Sequence, residues 1–334
     1  MHPSVPRRSA LAVVLLMLAP LLVVVLPSPV VAAEPAPRLA KARSAWVAVS
    51  VARLWETPRS PRPVDRPALA SPVRFRAWLS AMSLDQRRDL FRHSDTEALL
   101  GDRVRVLRLR GKWARVAVVD QPSPKHPSGY PGWVPRRQLT SRAPAATSRV
   151  ATVTRRTAWL HTDTSSPRRQ TEISHGTRLP VRGKVGRHVR VVLPRGGVRR
   201  IPAAAVTLHA PSERALPIGP RRLLRTARQF RGLPYLWGGL SGFGIDCSGL
   251  TWLAHRVSGV RTPRDAAPQA TAGRRVGRAK LRQGDLIFYA TAGTVHHVTM
   301  YAGRGRMIEA PFTGGVVRVV PVRDREYAGA RRYR

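Results

Sequence analysis

Three hydrophobic patterns follow one another along the 334-residue chain. The first is an uncharged, mostly apolar run from Ala10 to Val31, preceded by Arg7 and Arg8 and followed by "VAAEP". Basic flank, apolar run and the small residues Val31 and Ala33 before a cleavage point predict a secretory signal over residues 1–33. A retained membrane anchor is the alternative, because the run could just cross a bilayer; Pro20, Pro27 and Pro29 work against a stable helix there. No later segment is long and apolar enough to span a membrane. The second pattern is alternation with period two, as in "RVRVLRLR" and "HVRVVL", which predicts half-buried strands. The third begins near Pro220. "PRRLLRTARQFRG" reads as an amphipathic helix ending at Gly232, and "CSGLTWLAHRVSG" as a second ending at Gly259. Strand-like runs follow: "LIFYA", "HHVTMYAG", "RMIEAP" and "VVRVVPV". Helices followed by a run of antiparallel strands predict an α+β domain.

The alternating part repeats. "TEALLGDRVRVLRLRGKWARVAV" from Thr96 and "TEISHGTRLPVRGKVGRHVRVVL" from Thr171 align without gaps at an offset of 75 residues. Glu97/Glu172, Gly101/Gly176, Val106/Val181 and Gly111/Gly186 are among the identical pairs. Two related small β-barrels are the inference, over residues 44–141 and 149–209. They diverge beyond the repeat: the first continues into "SGYPGWVPRRQLT", with Tyr130 and Trp133, whereas the second continues into "GGVRRIPAAAVT", with no aromatic residue. The first also carries a helical insertion, "PVRFRAWLSAMSLDQRRDLF", in which Ser83 and Gln86 are spaced as a capping box. The first barrel therefore keeps a surface that the second lacks. The α+β domain occupies residues 218–334.

Charge changes the picture in one respect. The formal net charge is +41, and 54 of the 59 basic residues are arginines, spread along the whole chain. Such a chain is attracted to polyanions. For an exported protein these are anionic cell-wall polymers; no helix-turn-helix, zinc-ligand spacing or RNA-binding motif points to nucleic acid.

Cys247, in "GFGIDCSGLTW", is the only cysteine. It stands where a helix begins, and a helix N-terminus favours a thiolate. In "TVHHVTMYAGRGRMIEAP", "AGRGR" reads as a hairpin turn, and His297 and Glu309 are equidistant from Gly303, which predicts that they face each other across the hairpin. A thiol, an imidazole and an acid compose a nucleophile, a general base and a group that fixes the base's tautomer. His296 points away from His297, no His/Cys/Asp spacing argues for a metal, and no cofactor is expected.

The set "PYLWGG…DCSGL", "TPRDAAPQA", "GDLIFY" and "HHVTMYAGRGRMIEAP" resembles the NlpC/p60 family of papain-like cysteine peptidases, over about Pro220 to Arg323. The front part, "AWVAVSVARLWETPRSPRPVDRPAL", "TEALLGDRV" and "GYPGWVPRRQLT", is similar to the first SH3-like domain of YkfC-type members. The resemblance implies two SH3-like barrels followed by a papain-like α+β peptidase. It further implies a secreted enzyme that cuts murein peptides between D-Glu and the diamino acid when the L-Ala amine is free. In this sequence it implies Cys247 as nucleophile, His297 as base and Tyr235 near the oxyanion. It implies Asp246 and Ser248 as holders of the L-Ala amine, with Tyr130 and Asp95 closing that end of the pocket. The third catalytic position, often His in the family, is Glu309 here. The alternatives are a non-catalytic wall-binding protein and an amidase or acyltransferase built on the same fold.

Overall fold

In the computed structural model, residues 43–333 are described, together with Met1, His2 and Leu39; the expected signal segment otherwise lies outside the described residues. The first barrel is formed by β1 (Ser44–Val47), β2 (Val51–Trp55), β3 (Ser94–Leu99), β4 (Arg103–Arg110), β5 (Trp113–Val118), β6 (Tyr130–Pro135) and β7 (Leu139–Thr140). The second is formed by β8 (Val150–Val153), β9 (Thr157–Thr162), β10 (Arg169–Ser174), β11 (Arg178–Val185), β12 (His188–Val192), β13 (Val198–Pro202) and β14 (Val206–His209). The two sheets have one topology: the first runs β3-β2-β6-β5-β4-β1-β7, the second β10-β9-β13-β12-β11-β8-β14. The sequence repeat is thus a repeat of strand order, and the aligned turn glycines even share backbone angles, φ +52° at Gly111 and +51° at Gly186. Period two does the packing, since Val104, Ala114, Val116, Val118 and Val134 fill the first core and Leu179, Val189, Val191 and Ile201 the second.

Between β2 and β3 the first barrel carries α1 (Arg66–Leu69), α2 (Phe75–Ala81) and α3 (Leu84–Arg88). Ser83 caps α3 as its spacing predicts: it accepts from the Gln86 amide, and the Gln86 side chain accepts from the Ser83 amide. The apolar face of α2 packs on the barrel strand β2, where Trp78 meets Trp55 edge-to-face at 6.4 Å, and on the C-terminal domain. Phe75 packs on Phe243, with ring centroids 5.4 Å apart, and Trp78 is fully buried with its indole N–H donated to Asp65 at 2.7 Å. Phe75, Trp78, Met82 and Leu90 belong to the same core as the C-terminal domain. Burial of each large side chain contributes about 1.5–3 kcal/mol, so the insertion fastens the first barrel to that domain.

The C-terminal domain consists of α4 (Pro220–Arg228), α5 (Cys247–Arg256) and α6 (Ala266–Thr271), a short β15 (Leu240–Ser241)/β16 (Gly244–Ile245) pair, and a six-stranded antiparallel sheet. The sheet runs β17-β22-β18-β19-β20-β21, from β17 (Arg274–Val276), β18 (Leu286–Thr291), β19 (Thr294–Gly303), β20 (Arg306–Glu309), β21 (Arg318–Pro321) and β22 (Tyr327–Arg332). The hydrophobic pattern predicts the four strands from β18 to β21. It misses β17, the three residues Arg-Arg-Val, and β22, Tyr-Ala-Gly-Ala-Arg-Arg, neither of which has an apolar alternation. Leu250, Leu253 and Ala254 of α5 pack against Leu286, Phe288, Val298 and Met300 of the sheet, which sets the helix start beside β19. Among the described residues no helix is long and apolar enough to cross a membrane.

Candidate active site

Cys247 is the first residue of α5, buried and unpaired. Asp246 is the N-cap, its Oδ1 accepting from the Gly249 amide at 2.6 Å. The thiol therefore stands at the positive end of a ten-residue helix, where backbone amides of the first turn have no partner inside the helix. Tyr235 lies against it: burial pushes its phenol well above the ordinary value, and Cys247 and Asp246 add to the shift.

His297 and Glu309 meet, but not as direct cross-strand partners. The turn of the hairpin is centred on Arg304 and Gly305, both with positive φ, and not on Gly303. The ladder passes through an irregularity at Ala302 into Met300↔Ile308, a register that sets Glu309 across from Thr299. His297 is one diagonal step away. Because the displacement is two residues, both side chains remain on one face, and His297 Nε2 lies 3.0 Å from Glu309 Oε2. The Cys247 thiol is the other neighbour that favours the charged ring. Burial lowers the affinity of the ring for a proton, but its contacts with Cys247 and Glu309 outweigh burial and lift the His297 pKa to about 9. Burial likewise opposes charge on Glu309, yet His297, Arg323 and Arg318 together hold its pKa at about 2. Arg318, directly across from Glu309 in the β20/β21 ladder, reaches Oε1 at 3.0 Å, and Arg323 reaches Oε2 at 3.0 Å. Neither arginine is foreseeable from sequence.

The sign of the resulting pH effect follows from these shifts. The folded His297 prefers its proton relative to the ordinary value of 6.5, so the charged ring stabilises the fold fully below that value, and this is lost as pH rises through about 9. The alkaline limb of activity is expected near pH 9, where the imidazolium that protonates the leaving amine disappears. In Glu309→Gln that limb should move down toward the ordinary histidine range. A pH–rate profile of the variant checks it; an unmoved limb contradicts the role of Glu309.

Asp246 and Ser248, expected as ligands of a substrate amine, already have an internal partner. Arg264, fully buried, donates to Asp246 Oδ1 at 3.1 Å and Oδ2 at 2.8 Å, and to Ser248 Oγ at 2.9 Å. Burial opposes its charge, but Asp246 outweighs burial and raises the guanidinium pKa. With the Gly249 amide and the Ser248 hydroxyl also on Oδ1, Asp246 keeps one unused acceptor direction, on Oδ2. Arg264 continues to the first barrel through Thr96 Oγ1 at 2.8 Å. The next residue, Asp265, lies close to Tyr130: burial pushes the phenol above its ordinary value, and the Asp265 and Asp95 charges add to the shift. Asp95 stands at the same end: Lys125 Nζ lies 2.6 Å from Asp95 Oδ2 and 2.8 Å from the Tyr130 hydroxyl. The structure thus links Asp246, beside the thiol, through Arg264 to Thr96 of the first barrel, and groups Asp265, Tyr130 and Asp95 at that end. Sequence reading misses Arg264 and Asp265, although both lie inside the quoted "TPRDAAPQA".

Both barrels also grip the loop that precedes the cysteine. Arg53 and Glu97, fully buried and paired at 3.1 Å, reach out of the first barrel: Arg53 donates to the Trp237 carbonyl and Glu97 accepts from the Leu240 amide at 3.0 Å. Ser174 of the second barrel accepts from the Gly242 amide at 2.9 Å. A Cβ on Gly242 would sit 2.0 Å from the Arg156 carbonyl oxygen, so glycine is required for this approach. Among the described residues no group of three His, Cys, Asp or Glu side chains could hold a metal ion.

A thiol at a helix start set against a histidine and an acid on an antiparallel sheet is the arrangement of a papain-like cysteine peptidase. Residues 232–331 match the NlpC/P60 family model and residues 153–209 match that of the YKFC SH3b2 domain. The chain belongs to the NlpC/P60 family. It is 39% identical to the gamma-D-glutamyl-L-lysine dipeptidyl-peptidase of Bacillus cereus over 306 residues, 88% of this chain and 92% of that one. It is 35% identical to the protein of the same name from Bacillus subtilis, over 83% of this chain and 93% of that one. The crystal structure of an NlpC/P60 family protein from Bacillus cereus superposes with a TM-score of 0.82 at 37% identity, covering 87% of this chain and 99% of the other.

Proposed function

We propose that this protein is a cell-wall peptide hydrolase that cuts the bond between γ-D-Glu and the following diamino acid in peptides with a free N-terminal L-Ala, and that it works outside the cytoplasm. The observation that carries the reading is the polar run beside the thiol, from Asp246 through Arg264 to Thr96 of the first barrel, with Asp265, Tyr130 and Asp95 grouped at its far end. One end holds a nucleophile and its base; the other collects carboxylates in a strongly basic chain. A small cation one dipeptide away from the scissile carbonyl fits that spacing of roles. The names of the two Bacillus relatives, which are similar over most of both chains, support the same bond.

The chemistry follows from the placements. Cys247 Sγ attacks the γ-carbonyl of D-Glu while His297 holds the thiol proton. The developing oxyanion is met by the Cys247 amide at the helix start and by the Tyr235 hydroxyl, which burial keeps protonated. His297 then gives its proton to the α-amine of the departing diamino acid, leaving a γ-glutamyl thioester. Water, deprotonated by His297, hydrolyses the thioester and restores the thiol. Glu309 keeps the proton on Nε2 and balances the imidazolium throughout. At the far end the L-Ala ammonium binds among Asp95, Asp265 and the Tyr130 hydroxyl, with the free direction of Asp246 Oδ2 available to the peptide. The net charge of +41 draws the enzyme to anionic wall polymers.

N-acetylation tests the amine site. L-Ala-γ-D-Glu-L-Lys should be cleaved, and its N-acetyl form should lose roughly 10- to 150-fold in kcat/KM, the value of a hydrogen bond to a charged group. In Tyr130→Ala the free-amine peptide should fall toward the acetylated one. Equal cleavage of the two peptides by the wild type overturns the amine site.

A further inference from the structure

The pocket end assigned to the substrate ammonium contains an ammonium of the protein itself. Lys125, in the loop between β5 and β6, is one of five lysines in a chain with 54 arginines. Its side chain is 45% exposed along its length, yet Nζ turns inward to Asp95 Oδ2 at 2.6 Å and the Tyr130 hydroxyl at 2.8 Å, 4.8 Å above the centre of the Tyr130 ring. The Tyr130 phenol oxygen serves Lys125 Nζ as an acceptor. Asp95 and Tyr130 are the groups that receive the L-Ala amine in the reading above. An arginine would present a flat fork with five donors; a lysine presents the same –NH3⁺ group as a peptide N-terminus.

We infer that Lys125 is a resident competitor: it fills the amine subsite of the empty enzyme and is displaced by the N-terminal ammonium of the peptide. This rests on the amine-site reading. Two ammonium groups on the same Asp95 and Tyr130 acceptors repel each other at close range. Lys125 is free to leave, because its stem is solvent-exposed and the two groups named above are the polar partners of Nζ among the described residues. The product dipeptide L-Ala-γ-D-Glu carries the same ammonium as the substrate. The return of Lys125 therefore competes with product as well as with substrate, and trades affinity for release. The amine subsite is tuned against holding what the enzyme has just cut.

The test is the affinity of L-Ala-γ-D-Glu, and of its N-acetyl form, for the Cys247→Ala protein with and without Lys125→Met, measured by titration calorimetry. Methionine keeps an unbranched stem and removes the charge. Loss of a partly exposed ion pair as competitor should lower the Kd of the free-amine dipeptide by about two- to fivefold. Binding of the acetylated dipeptide should not tighten. A Kd that is unchanged or higher with Lys125→Met overturns the inference, as does equal tightening of both dipeptides, which would report a reshaped pocket. Cleavage of L-Ala-γ-D-Glu-L-Lys by the wild type is measured alongside. If the wild type cleaves and Kd does not respond, only the Lys125 assignment falls. If the wild type does not cleave and the dipeptide does not bind, the amine site beneath it falls too.

Discussion

Cys247→Ala should reduce cleavage of L-Ala-γ-D-Glu-L-Lys by roughly 10⁴- to 10⁶-fold, the cost of deleting a nucleophile that acts as a unit with its base. The variant keeps its fold. Alanine is smaller than cysteine and favours helix, and the cap made by Asp246 and the Gly249 amide does not involve the thiol. His297 Nε2 still bonds Glu309, but the ring loses the neighbouring thiol, one of the groups that raise its pKa to about 9. NMR titration of His297 in the variant, showing a pKa below that of the wild type, would report the same contact independently of turnover. The rival reading of a non-catalytic wall-binding protein expects no functional change in this variant. An amidase or acyltransferase of the same fold expects the loss but with other products.

The second large effect concerns stability. Arg264→Met should destabilise the protein by about 3–5 kcal/mol, the cost of stripping one partner from a buried ion pair. The guanidinium is fully buried and serves Asp246, Ser248 and Thr96 together. Its loss leaves a carboxylate beside the thiol without its countercharge and cuts the link from the peptidase domain to β3. Against a total stability of about 5–15 kcal/mol this is a large fraction, readable as a lower urea midpoint. Arg264→Lys keeps a charge but not the fork that spans Asp246 and Ser248, and should fall between. A midpoint unchanged in Arg264→Met would show that neither the buried pair with Asp246 nor the bond to Thr96 stabilises the fold.

The parts of the fold legible in the sequence are those set by local periodicity. Alternation gave the barrel strands, and the offset repeat predicted two copies that prove to share one strand order. Cys247 stood out as the single thiol at a helix start, and His297 as a strand residue on the same face as an acid. What could not be read depended on register and on tertiary partners. The hairpin centre moved from Gly303 to Arg304–Gly305, and Glu309 kept its contact with His297 only because a two-residue shift preserves the face. Arg264, Arg318 and Arg323 hold the two key carboxylates, yet in a chain with 54 arginines nothing local distinguishes them. The amphipathic α2 was recognisable as a helix, but its pattern does not say that its apolar face covers Phe243 of another domain. Asp246 and Ser248 looked like open acceptors because Arg264, the side chain that occupies them, is 18 and 16 residues away.

The most direct measurement is the mass spectrum of L-Ala-γ-D-Glu-L-Lys after incubation with the full-length enzyme and with Cys247→Ala. The wild type should release free lysine and the dipeptide L-Ala-γ-D-Glu, and the variant should leave the peptide intact. An intact peptide with the wild type, cleavage at the L-Ala bond instead, or equal cleavage by Cys247→Ala would contradict the account.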